Sequence, residues 1–245
     1  MKVALVQMEV IQEQPENNLK RVIELSKQAV QKGANILLFP EACLTDCVSD
    51  VDRFAEEVPH GPSCQKVWKI AEELGVFISF GLIEKDGIHR YITQVFLGPK
   101  RYSYKYRKTW LYTTTDRIKA LRRHRNDLDY YDPGSGPELF EIAGWKASCV
   151  ICSDTLANRC LKLLKPLKPE IVFYPNNREL WQPSEYWAAI AKAIEAPLLI
   201  TNRVGTSWGE FCVGGSSVYS KEGKLLASAN QEGKEEILLF DWGVL

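Results

Sequence analysis

The sequence predicts a single α/β domain with mixed sheets, running from residue 1 to residue 245. Short continuous apolar runs alternate along it with stretches whose apolar residues recur at helical spacing. Late in the chain, pairs of short runs flank turn residues in the manner of hairpins. No short-period repeat, low-complexity tract or Pro/Gly/Ser-rich linker interrupts the pattern. A chain of this length buries a sizeable core, and 45% apolar and 25% charged residues are ordinary for a globular protein.

The elements follow in order. Val3–Val6 has the pattern of a buried strand. Asn18–Lys32 places Leu19, Val22, Ile23 and Val30 on one helical face, with Gly33 as the residue that leaves the helix. Ile36–Phe39 is a continuous apolar strand ending at Pro40-Glu41. Val67, Ile70, Ala71 and Leu74 form a second helical stripe, closed by Gly75 and followed by a strand over Val76–Phe80. Thr113–Tyr131 is the least patterned stretch, read as a long loop with one helical turn, and loops of that length in compact domains are often functional. After Pro183, Trp187, Ile190, Ala191 and Ile194 make a third stripe leading into a strand over Pro197–Thr201. Gly215–Tyr219 and Lys224–Ser228 pair around Lys221-Glu222-Gly223, and a last strand covers Glu236–Phe240.

Several function classes are excluded early. Basic and acidic residues both number 31, so formal net charge is zero and nothing global recruits nucleic acid or an anionic membrane. The apolar start is too short for a signal peptide, being interrupted by Gln7 and Glu9, and no later segment approaches a membrane span. Seven cysteines, an odd number without a secretory signal, read as reduced thiols, so the expected location is cytoplasmic. His60, His89 and His124 are the only imidazoles, and Cys149 and Cys152 point to opposite faces of a strand. Neither a zinc site nor CxxC redox chemistry is expected.

Three reactive residues each stand just after an apolar run: Glu41, Lys108 and Cys152. Strand ends in an α/β protein can converge on one crevice, because the sheet aligns them. Cys152 is followed by Ser153, Asp154 and Thr155, which favour helix N-termini, with a helix expected over Leu156–Lys165. A thiol at such a junction faces unpaired N–H groups and the positive helix end, which lower its pKa. The Ser153 amide would also point at an oxyanion formed by attack of the sulfur. Each residue also has a plain structural alternative: a buried apolar thiol, a solvated loop glutamate, and a solvated lysine in the basic run with Lys100, Arg101, Lys105 and Arg107.

Phe39-Pro40-Glu41-Ala42, Tyr106-Arg107-Lys108-Thr109-Trp110-Leu111 and Val150-Ile151-Cys152-Ser153-Asp154 together resemble the three signature segments of the nitrilase, or carbon–nitrogen hydrolase, superfamily, in that family's order. Supporting matches are Gly33-Ala34, Pro133-Gly134 with Phe140, Thr201-Asn202-Arg203-Val204-Gly205, and Gly214-Gly215-Ser216-Ser217 followed by Gly223–Ala227, so the resemblance covers nearly the whole chain. It implies a four-layer αββα sandwich with no metal or organic cofactor. Glu41 would be the general base and acid, Cys152 the thioester-forming nucleophile, and Lys108 with the Ser153 amide the oxyanion donors.

Many members carry a second glutamate six residues before the proline of the Pro-Gly segment. That position is Asp127 here, one methylene shorter, with Asp116 and Asp129 as competitors and a solvated loop aspartate as the plain alternative. Ser153 also stands where the family often has tyrosine, and Leu156-Ala157-Asn158-Arg159 where it has a Phe-Pro-Glu-like segment, so unusual substrate choice is expected. The resemblance further implies that Asn176, Asn177 and Trp181 line the substrate pocket. It also implies association through helices into a homodimer or higher homo-oligomer, with Trp181 and Trp187 as contact residues. The basic loop Arg117–Arg125 suits a substrate carboxylate or a solvated turn. The favoured reading is hydrolysis of a small linear amide, with an N-carbamoyl compound or a nitrile as alternatives, and a catalytically silent interaction module as the rival of another class.

Overall fold

Alternation along the strands divides the core into three apolar layers, and these fix the architecture. The computed structural model describes residues 1–113, 126–156, 158–179, 182–207 and 209–244. One six-stranded sheet has the order β14 (Glu236–Asp241), β1 (Lys2–Gln7), β2 (Ile36–Leu38), β3 (Phe77–Asp86), β4 (His89–Gly98), β5 (Tyr102–Arg107). The other has the order β13 (Leu225–Ser228), β12 (Ser217–Tyr219), β9 (Leu198–Thr201), β8 (Ile171–Pro175), β7 (Trp145–Cys149), β6 (Phe140–Ile142). The hairpin β10 (Val204–Ser207) and β11 (Glu210–Val213) stands beside them. The central pairings β1/β2, β2/β3, β7/β8 and β8/β9 are parallel and the flanking ones antiparallel, so both sheets are mixed as expected.

Because side chains on a strand alternate faces, one residue set per strand meets the facing sheet and the next meets helices. Val3 and Leu5 of β1, with Ile36 and Leu38 of β2, pack against Cys149, Ile171, Phe173 and Leu199 of the second sheet. Ala4, Val6 and Leu37 turn the other way, under α1 (Pro15–Gln31) and α3 (Pro62–Leu74). Val172, Tyr174, Leu198 and Ile200 turn outward in the second sheet, under α4 (Asn158–Leu164) and α5 (Ser184–Ile194). The four-residue α2 (Val51–Phe54) lies outside this stack. Helix, sheet, sheet, helix is the αββα sandwich.

The helix stripes are largely those expected. Leu19 and Val22 are buried on α1, whereas Ile23 and Val30 sit at the margin of a face that Leu25 and Ala29 complete. Gly75 ends α3 in the left-handed conformation at φ 68°, which costs glycine little. Trp187 corrects an expectation. It is 1% exposed and packs edge-on against Tyr174 at 5.6 Å between ring centroids, so it belongs to the core of the chain and not to a subunit contact. Among the described residues no helix is long and apolar enough to cross a membrane.

Candidate active site

Glu41 and Lys108 are brought together by the ends of β2 and β5. Beyond β2 the chain stays bonded to its neighbour through Phe39 N–H to Ser79 O at 2.8 Å, then turns at Pro40-Glu41-Ala42, with Ala42 at φ 46°. That turn lies directly on Gly81 of β3, where any Cβ would collide with the Glu41 and Ala42 backbone. Lys108 continues β5 by donating to Ile92 O at 2.9 Å, and its carbonyl accepts Gly134 N–H at 2.8 Å. Gly134 has the same logic as Gly81, since a side chain there would strike Arg107 O. The Pro-Gly segment is therefore a backbone seat for the lysine.

The Lys108 ammonium is 1% exposed and lies 2.7 Å from Glu41 Oε1 and 3.1 Å from Asp127 Oδ2. Burial opposes its charge, but Asp127 and Glu41 outweigh that and hold the lysine protonated, with its pKa well above the ordinary value. The bland alternative of solvated surface groups is thereby removed for Lys108 and Glu41 alike. Glu41 Oε2 is buried with no hydrogen-bond partner among the described residues.

Asp127 stands where the longer family glutamate was expected, and the structure shows how the shorter side chain reaches. Its N–H donates to Tyr112 O at 2.8 Å, and its Oδ2 accepts Tyr112 N–H at 3.1 Å, so the loop is drawn inward onto the strand-end segment. Asp127 is fully buried. Asp129 points elsewhere, exposed and accepting from Asn126 Nδ2 at 2.8 Å. Asp116 and the basic loop Arg117–Arg125 lie outside the described residues.

Cys152 follows β7, from which Val150 still donates to Phe173 O at 3.1 Å. It is half-buried at φ 41°, a conformation unusual for a residue with a Cβ. Two expectations about it need correction. The helix expected over Leu156–Lys165 is present as α4, but it begins at Asn158, and a tight 3-10 turn, Cys152–Leu156, separates it from the strand. The reason is Asp154, whose buried carboxylate accepts Ile151 N–H at 2.7 Å, Tyr106 O–H at 2.8 Å, and the N–H groups of Thr109 and Trp110 at 3.0 and 2.6 Å. Instead of capping a helix, it ties the turn to the segment after Lys108. Ser153 reinforces the tie by donating through Oγ to Trp110 O at 2.6 Å.

The second correction concerns charge. The thiol is raised where lowering was expected: its pKa is pushed up to about 11 by burial and then by the Glu41 charge, against the opposing pull of Arg178, Lys108 and the Asn177 amide. Burial likewise raises Asp154 to about 6, although Ile151, Trp110, Tyr106 and the Lys108 charge pull the other way.

Asn176 and Asn177 both adjoin the site, but as supports. Asn176 Oδ1 accepts Arg178 Nε at 2.8 Å, and Asn177 Nδ2 donates to Asp46 Oδ1 at 2.6 Å. Asp46 in turn takes Arg203 and Ser207 at 2.7 and 2.6 Å in a fully buried cluster. Trp181 lies outside the described residues. Residue-by-residue reading missed Asp46, Tyr174 and Arg178. Arg203 belongs to a quoted matching segment, yet nothing in its spacing shows that its partner is 157 residues away. A cleft of about 450 Å³ near Trp110, Leu128 and Leu163 contains none of Glu41, Lys108 or Cys152 and is not the chamber that faces them.

Residues 2–241 match the family model described as Carbon-nitrogen hydrolase. A nitrilase of Pyrococcus abyssi is 27% identical over 242 residues, covering 96% of this chain and 87% of that protein. The omega-amidase NIT2 of Xenopus tropicalis is 26% identical over 229 residues, covering 88% and 79%. Among solved structures, a variant of the amidase from Nesterenkonia sp. AN1, with acrylamide added at its active-site cysteine, superposes with a TM-score of 0.83 at 22% identity, covering 98% of this chain and 92% of that one.

Proposed function

This chain belongs to the carbon–nitrogen hydrolase family, within the nitrilase superfamily, and from that premise we propose that it hydrolyses a small linear amide through a thioester on Cys152. The observation that carries the reading is the state of Glu41. One oxygen is fixed by Lys108 and the other, Oε2, is buried with no hydrogen-bond partner among the described residues, the arrangement of a carboxylate placed to accept a proton.

The chemistry then runs in two halves. Glu41 takes the thiol proton as the Cys152 sulfur bonds to the amide carbon, and the C=O electrons move onto oxygen. Lys108, already charged, faces the resulting oxyanion as a donor, and the Ser153 amide is the second. Glu41 returns the proton to the amide nitrogen, the C–N bond breaks, and ammonia leaves a thioester. Glu41 next deprotonates water, whose oxygen attacks the thioester carbon. The C–S bond breaks, the thiol regains a proton, and a carboxylic acid leaves. A thiol raised to about 11 needs such a base, because little thiolate exists at neutral pH without one.

The omega-amidase relative supports the amide, and the relative named nitrilase keeps a nitrile in view. The reading extends to one domain spanning residues 1–245, with Asn176, Asn177 and Trp181 beside the substrate. It extends also to a homodimer or higher homo-oligomer, whose apolar contact would include the exposed Leu156 and Leu163 next to α4, and to a cytoplasmic location suited to seven free thiols. Ammonia release from a panel of short amides, N-carbamoyl compounds and nitriles tests the substrate class. Turnover of amides first is expected. Turnover of only carbamoyl compounds or nitriles would replace the amide, and silence across the panel would favour a non-catalytic module.

Asp127 has its own expected result. Asp127→Asn keeps the shape but removes one of the two charges on Lys108, a charge-assisted contact of about 1.5–3 kcal/mol, so kcat/KM should fall about ten- to a hundredfold. Unchanged kinetics in both Asp127→Asn and Asp127→Glu would remove Asp127 from the machinery.

A further inference from the structure

We infer that Arg178 is a positioning residue for the nucleophile, clamping the Cys152 carbonyl in its left-handed turn and holding a second cation, besides Lys108, beside the thiol. The inference rests on Cys152 being the nucleophile and adds a residue that the family's signature segments do not contain.

Arg178 follows β8 and is held from several sides. Its N–H donates to Asn202 Oδ1 at 2.9 Å, and its carbonyl accepts Asn202 Nδ2 at 3.1 Å, which fixes the backbone. Nε donates to Asn176 Oδ1 at 2.8 Å. One terminal nitrogen then forks, donating to Cys152 O at 2.9 Å and to the Tyr174 hydroxyl at 2.8 Å. Tyr174 itself donates to the same Cys152 carbonyl at 2.7 Å. The guanidinium also sits 5.2 Å from the Trp187 ring and 5.7 Å from that of Tyr186. With Thr155 Oγ1 donating to the same oxygen at 3.3 Å, three donors over-determine a peptide plane that a residue at φ 41° would not otherwise keep.

The charge argument is independent of the clamp. No carboxylate pairs with Arg178 among the described residues, so its positive charge is uncommitted. Lys108 is paired with Glu41 at 2.7 Å, whereas Arg178 brings to the Cys152 turn a cation that no described carboxylate holds. Other titratable groups at the turn, among the described residues, include Asp154, bound by four donors, and the phenols Tyr174 and Tyr186. Arg178 therefore opposes what burial and Glu41 do to the sulfur.

The test is the pH dependence of Cys152 alkylation by iodoacetamide, followed by intact and peptide mass, which requires no substrate. In Arg178→Met the midpoint should rise by about one pH unit, slowing alkylation about tenfold at a fixed pH below it. Arg178→Lys, which keeps the charge, should stay close to wild type. Tyr174→Phe removes a donor from the Cys152 carbonyl without changing charge and should leave the midpoint in place while lowering turnover. A folded Arg178→Met protein with the wild-type midpoint overturns the inference; if that variant does not fold, Arg178→Gln, which keeps a donor but no charge, gives the same decision. A wild-type Cys152 no more reactive than the other thiols is a different outcome and would sink the nucleophile assignment itself.

Discussion

Cys152→Ala leaves a folded protein whose ammonia release falls by about 10⁴-fold or more. No other group is placed to form the acyl intermediate: among the described residues the remaining six thiols are all 1% exposed or less, whereas Cys152 is half-buried. The fold survives because alanine retains the Cβ, so the left-handed backbone at Cys152 is neither newly strained nor relieved. The carbonyl contacts from Tyr174 and Arg178 are to backbone and persist. Circular dichroism and a thermal melt within a few degrees of wild type should accompany the loss. Residual activity near the wild-type level in that folded variant would rule out the thioester.

The corresponding covalent species gives a positive counterpart. With a slow amide, intact mass should show the acyl group added to wild type and not to Cys152→Ala. Because the thiol is raised to about 11, its proton has to be removed as the sulfur attacks, and Glu41 is the base placed to take it.

Much of this was legible in the sequence, for reasons that differ by residue. The alternation Val3-Ala4-Leu5-Val6 marks a strand buried on both faces, and both faces are indeed covered, one by the other sheet and one by helices. The order Glu41, Lys108, Cys152 and the Pro133-Gly134 segment located the site, because each marks a strand end or its backbone seat. Asp154 was misread for a physical reason. A carboxylate two residues after Cys152 looks like a helix cap, and only the tertiary approach of Thr109 and Trp110 shows that two of its donors come from beyond another strand end. Arg178 has no local signature at all. Its significance depends on Cys152 O, Tyr174 and Asn202, and on the lack of a carboxylate opposite it, which spacing along a chain does not encode.

Lys108→Met is the variant expected to damage stability and activity together. It removes the shared cation of two carboxylates that are each 1% exposed or less, leaving like charges buried side by side. Removing one partner of a buried pair costs about 3–5 kcal/mol, because the other charge is stranded without water. Urea midpoints for both proteins at neutral pH read this loss directly. Activity disappears with it, since the oxyanion loses its charged donor. A Lys108→Met midpoint equal to that of wild type would mean that the charges of Glu41 and Asp127 are not what the lysine balances.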